Sequence, residues 1–361
     1  MSITTTRRQQ LKLALVSVGL AVATTVAPMA AHAASGVTLL ETGSTLLYPL
    51  FNLWVPDYTK AHPGLRITTQ GTGSGTGIAQ AISGVAQIGA SDAYMSDGQI
   101  KQNPSILNIP LAISAQTVNF NVPGLNKDHL KLDGPVLAGI YSGKIKNWED
   151  AQIKALNPGV KLPDHAIVPI HRTDGSGDTF IFSQYLSFST PSWNNSVGYG
   201  TTISWPAVQG GVGANGNPGM VQACQQTPYS VAYIGVSFHE QVAKAGLGTA
   251  MLKNRAGKFL LPDAHTVSAA AGELISKTPA DERISLVFAP GANSYPIINY
   301  EYAIVNAKQA NPESAKAIKA FLGWAVESEG GNAAKYLDAV RFIALPARVQ
   351  GLSKAQIAKI Q

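Results

Sequence analysis

Apolar positions along this chain come in short runs, each followed by a turn rich in glycine and hydroxyl residues and then by a stretch with helical spacing. Val37 to Leu40 predicts a strand, Thr42-Gly43-Ser44-Thr45 a turn, and Tyr48 to Tyr58 a helix, with Pro49 tolerated in its first turn and Leu50, Leu53 and Trp54 on one face. Arg66 to Thr69 repeats the plan as a strand, Gly71 to Gly77 as the turn and Ile78 to Ile82 as the helix, before Ala86 to Ala90 returns as a strand. Val168 to Ile170 and Thr179 to Leu186 give a third strand and helix around a polar turn. This alternation implies βαβ units and an α/β fold of mainly parallel sheets flanked by helices. In such sheets ligands sit at the carboxyl ends of strands, where these turns lie.

Two longer apolar segments, Ile113 to Asn121 and Ile297 to Val305, bracket a middle region with strands and helices of its own. They read as hinge strands. The chain would leave one lobe, build a second and return, giving lobe 1 from residues 34–112 plus 298–361 and lobe 2 from 113–297. That division places Thr45, Ser74 and Asp92 in one lobe and Arg172 to Asp178 in the other, so small dihedral changes at the crossings would close them on a ligand. Gln209 to Gly219 is polar and Gly-rich and reads as a surface loop.

The N-terminus changes the picture of where this happens. Arg7, Arg8 and Lys12 precede an apolar run from Leu13 to Val26, and Ala31-His32-Ala33 supplies small residues around a cleavage point, so residues 1–33 read as a cleavable export signal. The run is short for a membrane span, and no Cys stands near it to carry a lipid anchor, which favours a free periplasmic protein. Arg7 and Arg8 partly match a twin-arginine signal, but Gln10 stands where a large apolar residue is usual. The single cysteine, Cys224, precludes an intramolecular disulfide and reads as a small buried residue. Charged residues make up only 13% of the chain, and the formal net charge of +6 falls to +3 once Arg7, Arg8 and Lys12 leave with the signal. No dense basic patch for nucleic acid is visible, and the scattered histidines show no pair at metal-ligand spacing.

The chemistry is concentrated in the turns. Ile170 to Phe180 reads Ile-His-Arg-Thr-Asp-Gly-Ser-Gly-Asp-Thr-Phe, which sets a guanidinium and a hydroxyl at a Gly-rich turn entering a helix, the arrangement of an anion cradle. The same residues also fit a loop Arg in a surface ion pair ahead of an ordinary capped helix. Gly71 to Gly77 lacks the Lys of a nucleotide phosphate loop, since Ile78 stands there, yet the backbone near Ser74 could hold an anion, or the glycines could simply permit a tight turn. Asp92, in Gly89-Ala90-Ser91-Asp92, ends an apolar strand. It could cap a helix. It could equally accept a hydrogen bond from a protonated oxyanion, because a carboxylate only accepts and a P–OH can donate. An enzyme reading takes Ser176 as nucleophile, His171 as base and Asp174 as orienter, but neighbours in one turn do not normally form a triad and the Gly-x-Ser-x-Gly elbow is missing.

These segments together resemble the periplasmic phosphate-binding proteins of ABC transporters. The resemblance runs from Leu39 to about Pro346 and rests on Gly43-Ser44-Thr45, Gly71-Thr72-Gly73-Ser74, Gly89-Ala90-Ser91-Asp92, Asn121-Val122-Pro123-Gly124-Leu125, Gly139 to Trp148 and Asp174-Gly175-Ser176-Gly177. It implies a two-lobed binding-protein fold, type II-like, that encloses inorganic phosphate without metal or cofactor and hands it to transmembrane permease subunits. The protein would be monomeric and perform no chemistry, and arsenate would behave as an analogue. Carried over by position, the phosphate ligands are Thr45, Leu46 through its amide, Ser74, Asp92, Arg172, Ser176, Gly177 and Asp178. Asp178 departs from the commoner pattern of the family, which has Thr there. Its other reading is a first-turn helix acid facing solvent. Receptors for sulfate or molybdate are the competing class, and Asp92 argues against them because those anions offer it no proton.

Overall fold

The computed structural model describes residues 36–361, so the segment read as an export signal lies outside the described residues. Nine strands form one mixed sheet: β1 (Val37–Gly43), β2 (Leu65–Gly71), β3 (Ile88–Ser91), β4 (Ile106–Asn121), β5 (Val168–Arg172), β6 (Val212–Ala214), β7 (Ser230–Gly235), β8 (Gly248–Thr249) and β9 (Ile298–Asn306). Their order is β2-β1-β3-β9-β4-β7-β5-β6, with β8 also on β4. The outer pairings, β1 with β2 and β3, and β5 with β6 and β7, are parallel as the alternating pattern implies. The middle is not: β9 runs antiparallel to β3 and β4, and β7 and β8 run antiparallel to β4. Each half is therefore parallel-rich with an antiparallel seam.

β4 belongs to both halves. Residues 106–115 pair with β9, while residues 116–121 pair with β7, so one continuous strand runs from one half of the sheet into the other. It begins well before Ile113, where the sequence pattern put its start. Pro110 donates no ladder hydrogen bond, and the strand accommodates it beside a bulge, where Glu301 pairs with Ala112 but Tyr302 pairs with Pro110.

Four helices position the site or its scaffold: α1 (Tyr48–Ala61), α2 (Ser74–Ser83), α3 (Gly177–Ser189) and α4 (Gly216–Gln226). Helix α1 buries Leu50, Phe51, Trp54 and Tyr58. Leu53, expected on that face, is 37% exposed, because the buried stripe follows the 50-54-58 spacing with Phe51 beside it. Trp54 packs edge-on against Phe321 and Trp324 and donates its indole N–H to Gly331 O at 2.8 Å, which anchors α1 without a polar orphan. A second aromatic cluster, Tyr141, Phe182, Trp205 and Tyr233, fills the other half.

Two segments differ from their sequence reading in ways that matter for the site. Helix α2 starts at Ser74, inside the glycine run read as a turn, and its Gly77 must be glycine because a Cβ there would meet Ala90 O at 2.6 Å and Thr42 O at 2.8 Å. The glycines bring the helix down onto β1 and β3. Gln209 to Gly219 is not a plain surface loop: it contains edge strand β6 and the first turn of α4, and Asn217 there is fully buried. Cys224 is free and buried, in line with its reading. Among the described residues no helix is long and apolar enough to cross a membrane.

Candidate functional site

Two polar turns at strand ends and one carboxylate converge from the first half of the sheet. At the end of β1, Gly43 has φ of +140°, and a side chain there would run into Ala90, so only glycine lets the chain turn over β3. The following turn holds Ser44, whose Oγ accepts from Leu47 N at 3.0 Å and donates to Asp92 Oδ1. Among the described residues the Leu46 amide donates to no protein acceptor. Ser74 opens α2, accepts from the Asp92 amide at 3.2 Å and lies 3.4 Å from Asp92 Oδ2. Asp92 caps no helix; Ser96 does that in a capping box ahead of residues 97–102.

The second half contributes Arg172 at the end of β5 and the N-terminus of α3. Ser176 is the N-cap, its Oγ accepting from Thr179 N at 3.1 Å, which leaves the Gly177 and Asp178 amides without a carbonyl of their own helix. The two halves touch directly. Gly75 N–H donates to Gly175 O at 2.8 Å, and a Cβ on Gly177 would collide with Asp92 and lie 2.5 Å from Ser74 Oγ. Thr45, Leu46, Ser74, Asp92, Arg172, Ser176, Gly177 and Asp178 are all buried around this junction.

Arg172 is held more firmly than the sequence suggested. Its Nε–H donates to Asp174 Oδ1 at 2.7 Å, Nη2 reaches Asp174 Oδ2, and Nη1 donates to Asp178 Oδ2 at 2.8 Å. The flat fork is thus engaged by Asp174, and of the five N–H bonds of a guanidinium two remain for a ligand. Asp178 does not face solvent as a helix acid. Besides Arg172 it accepts from Gln116 Nε2 at 3.0 Å and Asn217 Nδ2 at 2.7 Å. Asn217 in turn donates to Thr45 Oγ1 from its side chain at 3.0 Å and its backbone at 3.1 Å, joining the halves through a second polar bridge.

Asn217, Gln116 and the clamp role of Asp174 were not found from the sequence. One signal for Asn217 was present: in Asn215-Gly216-Asn217-Pro218, a proline tolerated only in a first turn marks a helix start rather than a loop. Gln116 offers no such mark, since nothing sets it apart from the other polar residues of a buried strand.

The electrostatics are unusual for an anion site, because carboxylates outnumber the cation. Burial pushes Asp92 up from 3.8 to about 7, helped by the charge of Asp178 and opposed by hydrogen bonds from Glu301 and Ser44. Burial also raises Asp178, against the pull of Arg172, Gln116 and Asn217. Asp174 is held below the usual carboxylate range: its partial burial acts upward, and the Arg172 guanidinium outweighs it. The hydrolase reading finds no support in the geometry. His171 Nδ1 lies 3.1 Å from Arg172 O with its ring stacked on Trp205, Asp174 is bound to Arg172, and Ser176 Oγ serves the helix cap. Among the described residues no group of His, Cys, Asp and Glu could hold a metal ion.

Residues 28–329 match the PBP superfamily domain. The chain is 37% identical over 314 residues to the phosphate-binding protein PstS of Methanocaldococcus jannaschii, covering 82% of this chain and 80% of that one, and 35% identical over 314 residues to PstS of Haemophilus influenzae, covering 87% and 90%. Its fold is similar to that of a high affinity periplasmic phosphate-binding protein solved with bound phosphate, with TM-score 0.71 and 21% identity over 88% of this chain and 93% of that one. A phosphate binding protein from Stenotrophomonas maltophilia gives TM-score 0.67 and 18% identity over 89% and 94%. By these matches the chain belongs to the PstS family of phosphate-binding proteins within the PBP superfamily.

Proposed function

We propose that this chain captures inorganic phosphate between the two halves of its sheet in the periplasm and delivers it to the transmembrane subunits of an ABC-type permease. The observation that carries the reading is the meeting of two buried carboxyl groups, Asp92 and Asp178, with Arg172 and two helix N-termini at one buried junction. Helix N-termini and a guanidinium attract an oxyanion. Carboxylates repel one unless it brings protons to donate, which phosphate and arsenate do near neutral pH and sulfate does not.

In this reading the Leu46, Gly177 and Asp178 amides, the hydroxyls of Thr45, Ser74 and Ser176, and the free N–H bonds of Arg172 serve the anionic oxygens. Asp92 accepts from a P–OH. Asp178 holds Arg172 and Asn217 in place and keeps lone-pair capacity for a second P–OH. The crossings at residues 113–121 and 297–305 act as hinges between lobe 1 (34–112 and 298–361) and lobe 2 (113–297), and release of the Gly75–Gly175 and Thr45–Asn217 bridges accompanies opening. The protein works as a monomer and binds without catalysis. Calorimetric titration of the mature chain with phosphate, arsenate, sulfate and molybdate tests this: tight phosphate and arsenate binding with weak sulfate and molybdate supports it, and sulfate or molybdate binding as tight as phosphate contradicts it.

A further inference from the structure

Behind the cleft, one more acid than anion binding requires is buried against Asp92. Glu301 lies on β9, is fully buried, and is placed by the β-bulge between Glu301 and Tyr302, with Tyr302 opposite Ser91 so that Glu301 lies next to the residue following β3. Bulges of this kind re-aim a side chain. Glu301 Oε1 is well supplied: Ser114 Oγ stands 2.5 Å away, and Asn299 Nδ2 donates at 3.0 Å. Oε2 receives no donor from the described residues. Asp92 is its neighbour across that register, Asn299 Nδ2 donates both to Asp92 O and to Glu301 Oε1, and the two buried carboxyls act on each other. Two ionised carboxylates are acceptors only, so this contact needs a proton between them.

We propose that Glu301 carries that proton and donates it to Asp92, making Glu301 a positioning and specificity-determining residue for phosphate recognition. The proposal rests on the reading of the cleft as a phosphate site. The surroundings assign the proton to Glu301 rather than to Asp92. Around Asp92 stand Arg172, Asp178, Ser44 and Ser74, and both serines offer it hydroxyls. Burial and the charge of Asp92 act most strongly on Glu301 and drive its carboxyl well above the ordinary range, against hydrogen bonds from Ser114 and Asn299. Asn299 also donates to Asp92 O at 3.2 Å, fixing the backbone that carries the acceptor. With the donors gathered behind it, Asp92 ionises as pH passes about 7 and then presents its remaining lone pairs to the cleft. Without Glu301, Asp92 would take up a proton itself and become a donor, the state that accepts sulfate.

The test combines infrared difference spectroscopy of the ligand-free protein with phosphate and sulfate titrations of wild type, Glu301→Leu and Glu301→Gln. At about pH 8, where an ordinary carboxyl is ionised, wild type should show the carbonyl band of a buried protonated carboxylic acid that the Gln variant lacks. Glu301→Leu should lower phosphate affinity by about tenfold or more and narrow the phosphate-over-sulfate ratio, while Gln, whose amide can donate to Asp92 and accept from Ser114, should recover most of both. An identical set of carboxylic-acid bands in wild type and the Gln variant would overturn the proposal. So would tighter binding of both anions by the Gln variant, the signature of removing a negative charge. Loss of both anions in equal proportion in both variants would reduce Glu301 to a structural role and overturn it as well. If the Leu variant fails to fold, the Gln spectrum and titrations still decide. A wild type that binds no phosphate would sink the phosphate reading, while the infrared band would still report where the proton resides.

Discussion

Asp92→Asn should change how the ligand-free protein's stability depends on pH. In the folded chain burial and the neighbouring Asp178 move the Asp92 carboxyl from 3.8 to about 7. A displacement of about three units corresponds to about 4 kcal/mol between the two protonation states. The folded pKa is raised, so the contribution of this group to stability is fully present below its ordinary value and is lost as pH rises through about 7. Integrating between those two values, about 2.5 kcal/mol of the loss falls between pH 5 and pH 8. Asn cannot ionise, and its constant effects on packing and hydrogen bonding cancel when one pH is compared with another. Urea unfolding of phosphate-stripped wild type and Asp92→Asn at these two pH values gives the comparison. The variant should gain about 2–3 kcal/mol on wild type in going from pH 5 to pH 8. Parallel stability curves would show that Asp92 is not forced to ionise in a desolvated site, and the electrostatic account of the cleft would fall with it.

Three further outcomes follow from the contacts around the junction. Gly177→Ala places a methyl group against Asp92 and Ser74, so it should abolish phosphate binding in calorimetry while costing about 1–3 kcal/mol of stability through overpacking. Arg172→Ala leaves the Asp174 and Asp178 carboxylates buried without their cation and should cost about 3–5 kcal/mol in unfolding experiments along with most of the phosphate affinity; Lys, with no flat fork for Asp174, should rescue only part, and an Ala variant of wild-type affinity would remove Arg172 from the site. Asp178→Thr takes away one acceptor-only group, so the fall of phosphate affinity toward alkaline pH, measured from about pH 5 to pH 9, should be shallower than in wild type, and identical profiles would assign Asp178 to scaffolding alone.

Much of this architecture could be read from local pattern. Strand, polar turn and helix around Thr45, Ser74 and Arg172 are encoded by apolar spacing and glycine placement, and both remain visible one turn at a time. The antiparallel seam was not legible, because the direction in which β9 returns beside β3 and β4 depends on where the chain travels in between. Helix α2 was read as starting late because its glycines look like turn residues until the close approach of Thr42 and Ala90 is known. The direct ligand candidates stood out because they occupy recognisable turns. Their supports did not: Gln116 and Glu301 stand among other polar residues in buried strands with no motif around them, and Asn217 lay in a stretch whose composition mimics a loop. A polar residue in a core acquires meaning only from what faces it, and that is a property of the tertiary arrangement.

The central claim is that a carboxylate selects phosphate by accepting its proton, and the ratio of phosphate to sulfate affinity in Asp92→Asn against wild type tests it most directly. Above about pH 7 the ionised Asp92 of wild type leaves sulfate with a repelled and unpaired oxygen in a dry site, an arrangement that can discriminate by about 10⁴-fold. Asn offers a donor in its place and should narrow the ratio by about two orders of magnitude or more. A variant that keeps the wild-type ratio would contradict the account and place discrimination elsewhere in the cleft.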